Sequence, residues 1–182
     1  IRTEEEARAF VASLCDRAAI IRLECLTDLL IVENQRQNLI AQATIGSLWQ
    51  RHFADSAQLL RHVSRETGVW LDLGTGAGFP GLVIAALRPQ WTVCLVESRK
   101  RRIEWLEAAK AALGLDRCEV IGARLETVES FAAGVISARA FAPMPKLIEL
   151  AERFSTKQTL RLLPKGRSAE QDLTGLTKNR RA

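Results

Sequence analysis

The chain has 182 residues, of which 47% are hydrophobic and 26% are charged, and its formal net charge is +5. This composition is typical of a globular protein with one main domain and a substantial core, and it argues against a low-complexity or disordered chain. The basic excess permits a polyanionic partner without identifying one.

Membrane and metal chemistry are both disfavoured by the composition. The longest apolar runs are too short to span a bilayer, and the polar start, Ile1-Arg2-Thr3-Glu4, differs from a signal peptide, so we expect a cytoplasmic protein with no membrane contact. Four scattered cysteines and two histidines lack the spacing of a zinc site. We therefore expect reduced thiols and no bound metal.

The first third of the chain predicts three helices. Thr3 to Glu6 forms a capping-box pattern, and the apolar spacing that follows extends to Ala18. A second helix is predicted from Leu23 to about Gln35, and a third from Leu48 to about Val63, capped by Ser47. We expect residues 1–64 to form a helical cap and residues 65–182 to form the cofactor-binding core.

From residue 69 onward, apolar strands alternate with helices. Strands are predicted at 69–73, 92–97, 119–121, 135–138 and 160–164, and helices at 82–87, 103–113 and 146–154. This alternation predicts a Rossmann-like α/β fold with a doubly wound, mostly parallel sheet. Ligands bind such sheets beyond the carboxyl ends of the strands, where Asp72, Glu97, Glu126 and Arg139 all fall.

A glycine-rich turn follows the first strand. Four glycines lie within eight residues, at Gly74, Gly76, Gly78 and Gly81, and an apolar helix resumes immediately afterwards. Glycine permits positive φ angles and lets the backbone approach a ligand that a Cβ atom would repel. A strand, a glycine-rich turn and a helix in this order predict a nucleotide-binding loop.

The residues around this loop favour S-adenosylmethionine over a dinucleotide. Gly76 to Gly81 does match the G-x-G-x-x-G dinucleotide pattern. However, the Asp72 carboxylate would repel a pyrophosphate and would attract the α-ammonium group of S-adenosylmethionine. Glu97 can accept hydrogen bonds from both ribose hydroxyls of either cofactor, so it does not discriminate. A nicotinamide-dependent oxidoreductase therefore remains an alternative.

Several longer segments resemble one known family. They are Asn38-Leu39-Ile40, the stretch from Trp49 to Ser56, the loop from Asp72 to Gly81, Ala123 to Glu126, Ser137 to Ala142, and Pro164 to Gly166. In these segments the chain resembles the RsmG (GidB) family, bacterial S-adenosylmethionine-dependent methyltransferases that modify N7 of a guanine in 16S rRNA. Family members continue past Gly166 with a helix and a strand pair, and we expect intervening residues to be omitted from this chain.

The resemblance implies S-adenosylmethionine as cofactor and 16S rRNA or the small ribosomal subunit as partner. We expect a monomer, although no sequence feature gives the oligomeric state. It implies cofactor contacts at Gly74, Phe79, Leu125, Glu126 and Arg139. The loop itself adds Asp72, Gly76 and Gly78, and the end of the second strand adds Glu97. Arg139 can reach either the cofactor carboxylate or an RNA phosphate, and the sequence does not choose between them.

Guanine N7 carries an in-plane lone pair, so the reaction needs alignment rather than a strong base or a metal. The sequence does not identify a catalytic residue; the candidates are Arg139, Phe141, which can stack on the guanine, and His52. The candidates for RNA contact are Arg51, Arg99, Lys100 and Lys165. Arg51 has an open alternative, an ion pair with Asp55 one helical turn away. A non-catalytic RNA-binding domain with a vestigial cofactor fold also remains open.

Overall fold

The structure is a computed structural model that describes residues 1–63, 68–139 and 143–164. Its centre is a sheet of five parallel strands in the order β3-β2-β1-β4-β5. The strands are β1 (Trp70–Leu73), β2 (Val93–Glu97), β3 (Cys118–Gly122), β4 (Val135–Ser137) and β5 (Leu160–Leu162). Every strand lies within two residues of its predicted position, and the predicted parallel α/β fold is confirmed.

The strand order places a crevice beside β1. The chain runs outward from β1 through β2 to β3 and then returns to the other side of β1 as β4. Asp72 in β1 pairs with Leu95 in β2 and with Ser137 in β4. The direction of winding reverses between β1 and β4, and in sheets of this kind ligands bind beyond the carboxyl ends of the strands at such a point.

Alternate strand residues face opposite sides of the sheet, as the two-residue strand period requires. Trp70, Val93 and Leu95 face one apolar cluster, which also contains the N-terminal helices. Leu71 and Val96 face a second cluster on the other side. Both faces are therefore covered, which explains why β1 and β2 read as continuous apolar runs.

The helices flank this sheet. They are α1 (Glu4–Ala12), α2 (Arg17–Asn34), the short α3 (Asp55–Ala57), α4 (Gly81–Leu87), α5 (Lys100–Ala112) and α6 (Met144–Glu152). Thr3 caps α1 as predicted, accepting a hydrogen bond from the Glu6 backbone N–H at 3.1 Å. The predicted extension to Ala18 is wrong, because Asp16 caps a new helix through the Ala19 N–H.

The prediction of one regular helix from Leu48 to Val63 is also wrong. The segment consists of a 3-10 turn at Gln42–Ser47, a π-helix at Trp49–Ala54, α3, and a second 3-10 turn at Gln58–His62. Ser47 does not cap it; instead the Glu4 carboxylate accepts hydrogen bonds from the N–H groups of Trp49 at 3.1 Å and Gln50 at 2.8 Å. A side chain 45 residues earlier therefore fixes the start of the π-helix.

The N-terminal helices pack directly on the sheet. One continuous apolar cluster extends from Ala7 and Leu23 through α4 to Trp70 and Leu95. The predicted boundary near residue 64 falls at 64–67, outside the described residues, and the division into a cap and a core stays a prediction. Among the described helices, none combines the length and the apolar character that a membrane span requires.

Candidate cofactor and substrate site

The glycine loop between β1 and α4 has the backbone that its sequence predicts. Gly74 and Gly76 adopt φ angles of +63° and +60°, in the left-handed region that residues with a Cβ rarely adopt. The loop closes on itself through hydrogen bonds from the Gly78 and Phe79 N–H groups to the Thr75 carbonyl. The chain therefore turns sharply at the carboxyl end of β1 and presents its backbone to the crevice.

The buried carboxylate of Asp72 fixes this loop through hydrogen bonds. Its Oδ2 atom accepts hydrogen bonds from the Thr75 hydroxyl and from the Gly81 N–H, the latter at 3.1 Å. Its Oδ1 atom accepts from the Ser137 hydroxyl at 2.7 Å, and the Trp70 indole N–H in turn donates to that hydroxyl at 2.9 Å. One carboxylate thus joins β1, the glycine loop, the start of α4 and β4.

This arrangement gives Asp72 a structural role, and its predicted contact with the cofactor stays a prediction. The residue is 0% exposed, so the loop covers its carboxylate. Burial raises the pKa of Asp72 to about 6, and the three donated hydrogen bonds oppose that rise. The acid shapes the loop that surrounds a ligand.

Glu97 ends β2 and is also occupied by backbone groups. Its Oε1 atom accepts hydrogen bonds from the Ser98 and Arg99 N–H groups at 2.8 and 2.9 Å, and its Oε2 atom accepts from the Gly76 N–H at 3.1 Å. A carboxylate offers about four acceptor positions. Glu97, which is 5% exposed, therefore retains an acceptor position for one ligand hydroxyl rather than for the two that its place at the strand end predicts.

A cavity of about 130 Å³ opens beside Gly74 and Glu97. Its walls come from the ends of three strands: Gly74, Val96, Glu97, Ser98, Arg99, Ala123 and Leu125. Leu125 lines it as expected, whereas its neighbour Glu126 is exposed and lies outside the lining. Arg153, which no sequence motif marks, donates hydrogen bonds to the carbonyls of Leu125, Glu126 and Val128 and fixes this turn.

A second group of predicted residues meets at the end of β4. The Arg139 Nη2 atom lies 3.2 Å from His52 Nδ1, and its guanidinium carbon lies 5.3 Å from the centre of the Phe79 ring. The His52 ring stacks on the same Phe79 ring, with centres 5.0 Å apart. The structure thus brings together three residues that are far apart in sequence.

The remaining candidates divide by exposure. Arg51, Arg99 and Lys100 are exposed, the last two at the start of α5. In the part of the chain that the structure describes, Arg51 forms no ion pair with Asp55, because the π-helix changes the spacing that an ordinary helix would give. Phe141 and Lys165 lie outside the described residues.

We expect replacing His52 by phenylalanine to change how stability depends on pH. Burial, with help from Arg139 and Arg51, lowers the pKa of His52 from 6.5 to about 4. Between these pH values the unfolded chain binds a proton that the folded protein does not, so this histidine lowers the free energy of unfolding as pH falls from 6.5 to 4. The raised pKa of Asp72 acts in the opposite direction between pH 6 and 3.8.

The measurement is urea unfolding of both proteins at intervals from pH 7 to pH 4.5. As the pH falls from 7 to 4.5, the free energy of unfolding of the variant should rise by about 1 to 3 kcal/mol relative to that of the wild type. The reason is that the variant keeps Asp72 and loses the histidine. A difference between the two proteins that does not change with pH would contradict the expectation.

Comparison with known proteins identifies clear relatives. A family model described as rRNA small subunit methyltransferase G matches residues 20–181. The ribosomal RNA small subunit methyltransferase G of Erythrobacter litoralis is 60% identical over 98% of this chain and 86% of its own length. The protein of the same name from Novosphingobium aromaticivorans is 55% identical over 94% of this chain and 76% of its own length.

Solved structures share the fold. A putative S-adenosyl-L-methionine-dependent methyltransferase from Methanococcus maripaludis has a TM-score of 0.55 and 12% identity over 73% of this chain and 66% of its own. Coclaurine N-methyltransferase bound to N-methylheliamine and SAH has a TM-score of 0.55 and 19% identity over 88% of this chain and 58% of its own. At these identities the likeness concerns the Rossmann-like architecture.

Proposed function

The chain belongs to the rRNA small subunit methyltransferase G family, and on that premise we propose a function for each part of its site. The protein is an S-adenosylmethionine-dependent methyltransferase of small-subunit (16S) rRNA. The methyl acceptor that we propose is N7 of a guanine, as the family resemblance implies. The observation that carries this conclusion is the family match, which spans α2, the π-helix and the glycine loop together.

The cavity beside the glycine loop suits the adenosine half of the cofactor. Leu125 and Val96 offer apolar surface to a flat base, and the free acceptor position of Glu97 suits a ribose hydroxyl. Gly74 and Gly76 add no side chain that would obstruct the ligand. When bound, S-adenosylmethionine supplies a methyl group activated by a positively charged sulfur.

The protein's part in the reaction is alignment. Guanine N7 donates its own lone pair, so no residue needs to remove a proton first. A fixed approach of the acceptor atom contributes to the rate by orientation. Arg139 lies two residues beyond β4, and its guanidinium packs on the buried Phe79 ring of the glycine loop. We assign these two residues to positioning the reactants.

The exposed cations are assigned to RNA. Arg99 and Lys100 start α5, and Arg51 lies on the π-helix. Cations at a helix N-terminus are unfavourable beside its partial positive charge, and an RNA phosphate would relieve that repulsion. Lys165 keeps the same proposed role. We further propose that the protein acts as a monomer in the cytoplasm, without a metal ion and without membrane contact.

The two alternatives from the sequence analysis are not supported. A nicotinamide-dependent oxidoreductase rested on the pattern from Gly76 to Gly81, but the relatives that match more than nine tenths of the chain are named as methyltransferases. A non-catalytic RNA-binding domain with a vestigial cofactor fold is not supported either, because the same relatives are named as methyltransferases.

The proposed acceptor is tested by methyl transfer from radiolabelled S-adenosylmethionine. The substrates are purified small-subunit rRNA and assembled small subunits, both from a strain that lacks the modification. We expect about one methyl group per RNA molecule, recovered as N7-methylguanine after nuclease digestion. Label on another atom would contradict the guanine N7 assignment. Incorporation into neither substrate, by protein that binds S-adenosylhomocysteine in calorimetry, would contradict the rRNA activity of this chain.

A further inference from the structure

A histidine and an arginine connect the N-terminal helical layer to the sheet. His52 lies on the π-helix at Trp49–Ala54, and Arg139 lies two residues beyond β4. They meet through the 3.2 Å contact between Arg139 Nη2 and His52 Nδ1, and both groups lie against the Phe79 ring. His52 is 8% exposed, so it is buried in the layer and does not face the crevice.

The contact fixes the protonation state of His52. A guanidinium group can only donate hydrogen bonds, so His52 Nδ1 must accept and must be unprotonated. The single proton of the neutral ring then lies on Nε2, which is 3.0 Å from the Thr44 hydroxyl oxygen. That hydroxyl donates its own hydrogen to the Ala41 carbonyl at 2.7 Å, so its oxygen is free to accept. Donors and acceptors match along the whole chain of contacts.

With both ring nitrogens occupied, His52 has no free atom with which to act on a substrate. Arg139, in contrast, makes this one hydrogen bond among the described residues, and its guanidinium carries five N–H groups. Its position at the carboxyl end of β4 is where ligands bind in this class of sheet. The histidine therefore acts on chemistry only through the arginine.

We propose that His52 is a positioning residue: its unprotonated Nδ1 holds the Arg139 guanidinium over Phe79, so that the remaining N–H groups bind an anionic oxygen of a reactant. The proposal rests on the proposed function for the identity of the reactants. Two reactants carry such an oxygen, the carboxylate of the cofactor and a phosphate of the RNA.

Two variants of His52 distinguish the effect of its hydrogen-bond acceptor from the effect of its aromatic ring. His52→Phe keeps a ring against Phe79 but removes the acceptor, whereas His52→Asn places an amide oxygen close to the position of Nδ1. His62→Phe is the control, because His62 is the other histidine of the chain and is exposed at the end of a 3-10 turn. Urea unfolding establishes that each variant is folded before its binding is compared.

Calorimetry then compares S-adenosylhomocysteine with 5′-methylthioadenosine, which lacks the amino-acid portion. If Arg139 binds the cofactor carboxylate, His52→Phe should weaken the binding of S-adenosylhomocysteine about tenfold and leave the binding of methylthioadenosine unchanged. His52→Asn should then recover part of the lost affinity. If Arg139 binds RNA, both ligands should be unaffected and the KM for RNA should rise about tenfold instead, with the same rescue. An equal loss for both small ligands, or no loss in any measurement, would overturn the proposal.

A spectroscopic readout is independent of enzyme activity. In protein labelled with ¹⁵N-histidine, the wild type at pH 7 should show His52 as a neutral ring with its proton on Nε2. A ring protonated on Nδ1 would overturn the proposal even in a fully active enzyme. Absence of methyl transfer by a protein with the expected ring signals would instead contradict the proposed function and leave this contact standing.

Discussion

Replacing Gly81 by alanine is expected to abolish cofactor binding and to lower the free energy of unfolding by about 3 kcal/mol or more. A Cβ atom at this position would lie 2.2 Å from Leu95 Cδ2, 2.9 Å from Asp72 Oδ2 and 3.0 Å from Asp72 Cβ. Leu95 is fully buried in the apolar cluster on this side of the sheet, so moving its methyl group would press on neighbouring core side chains. The start of α4 must therefore shift away from β1, and the Gly81 N–H leaves the Asp72 carboxylate.

Gly46→Ala is the matched control. Gly46 lies in the 3-10 turn at Gln42–Ser47, and a Cβ atom there would meet no heavy atom within 4 Å. Urea unfolding and calorimetric titration with S-adenosylhomocysteine should give wild-type values for this control and large losses for Gly81→Ala. A Gly81→Ala protein that unfolds and binds like the wild type would show that the loop adapts to the added methyl group.

Replacing Asp72 by alanine is expected to lower the free energy of unfolding by about 3 to 5 kcal/mol and to remove cofactor binding. Three donors lose their acceptor, namely the Thr75 hydroxyl, the Gly81 N–H and the Ser137 hydroxyl. Each buried donor left without a partner costs about 1 to 3 kcal/mol. Asp72→Asn should be much milder, because its amide oxygen can accept from Thr75 and Gly81 while its amide group donates to the Ser137 oxygen.

The choice of ligand distinguishes two explanations for the lost binding. If Asp72 acts by holding the loop in place, Asp72→Ala should lose affinity for S-adenosylhomocysteine and for 5′-methylthioadenosine to the same extent. If the carboxylate instead touches the α-ammonium group, only S-adenosylhomocysteine should weaken, since methylthioadenosine has no ammonium group. The second outcome, measured by calorimetry on protein shown to be folded, would contradict the structural role that burial assigns to this residue.

The sheet and its glycine loop could be predicted because their signals are local. Continuous apolar runs mark β1 and β2, and the closely spaced glycines after Leu73 mark the turn. The surroundings of Asp72 could not be predicted, because Ser137 lies 65 residues away and no local pattern indicates that its hydroxyl reaches back to β1. The sequence therefore predicts the position of the carboxylate at the strand end but not its three partners within the protein.

The π-helix could not be predicted from local sequence either. Its start is fixed by Glu4, 45 residues earlier, and the ring of His52 within it is fixed by Arg139, 87 residues later. Local spacing in this segment favours an ordinary helix, and only these tertiary contacts select a different backbone. The resemblance to a known family indicated that the segment matters, but it did not indicate how its side chains are connected.

The shared carboxylate of Asp72 has a consequence for how this sequence can diverge. Thr75, Gly81 and Ser137 all depend on it, so substitutions at these positions should be epistatic, with combined effects that are not the sum of the separate ones. The turn after β3 differs, because Arg153 donates hydrogen bonds to its backbone carbonyls. These carbonyls are present whatever side chains the residues of the turn have. Drift in cofactor or substrate preference should therefore accumulate at that turn, while the loop after β1 changes only in coordinated steps.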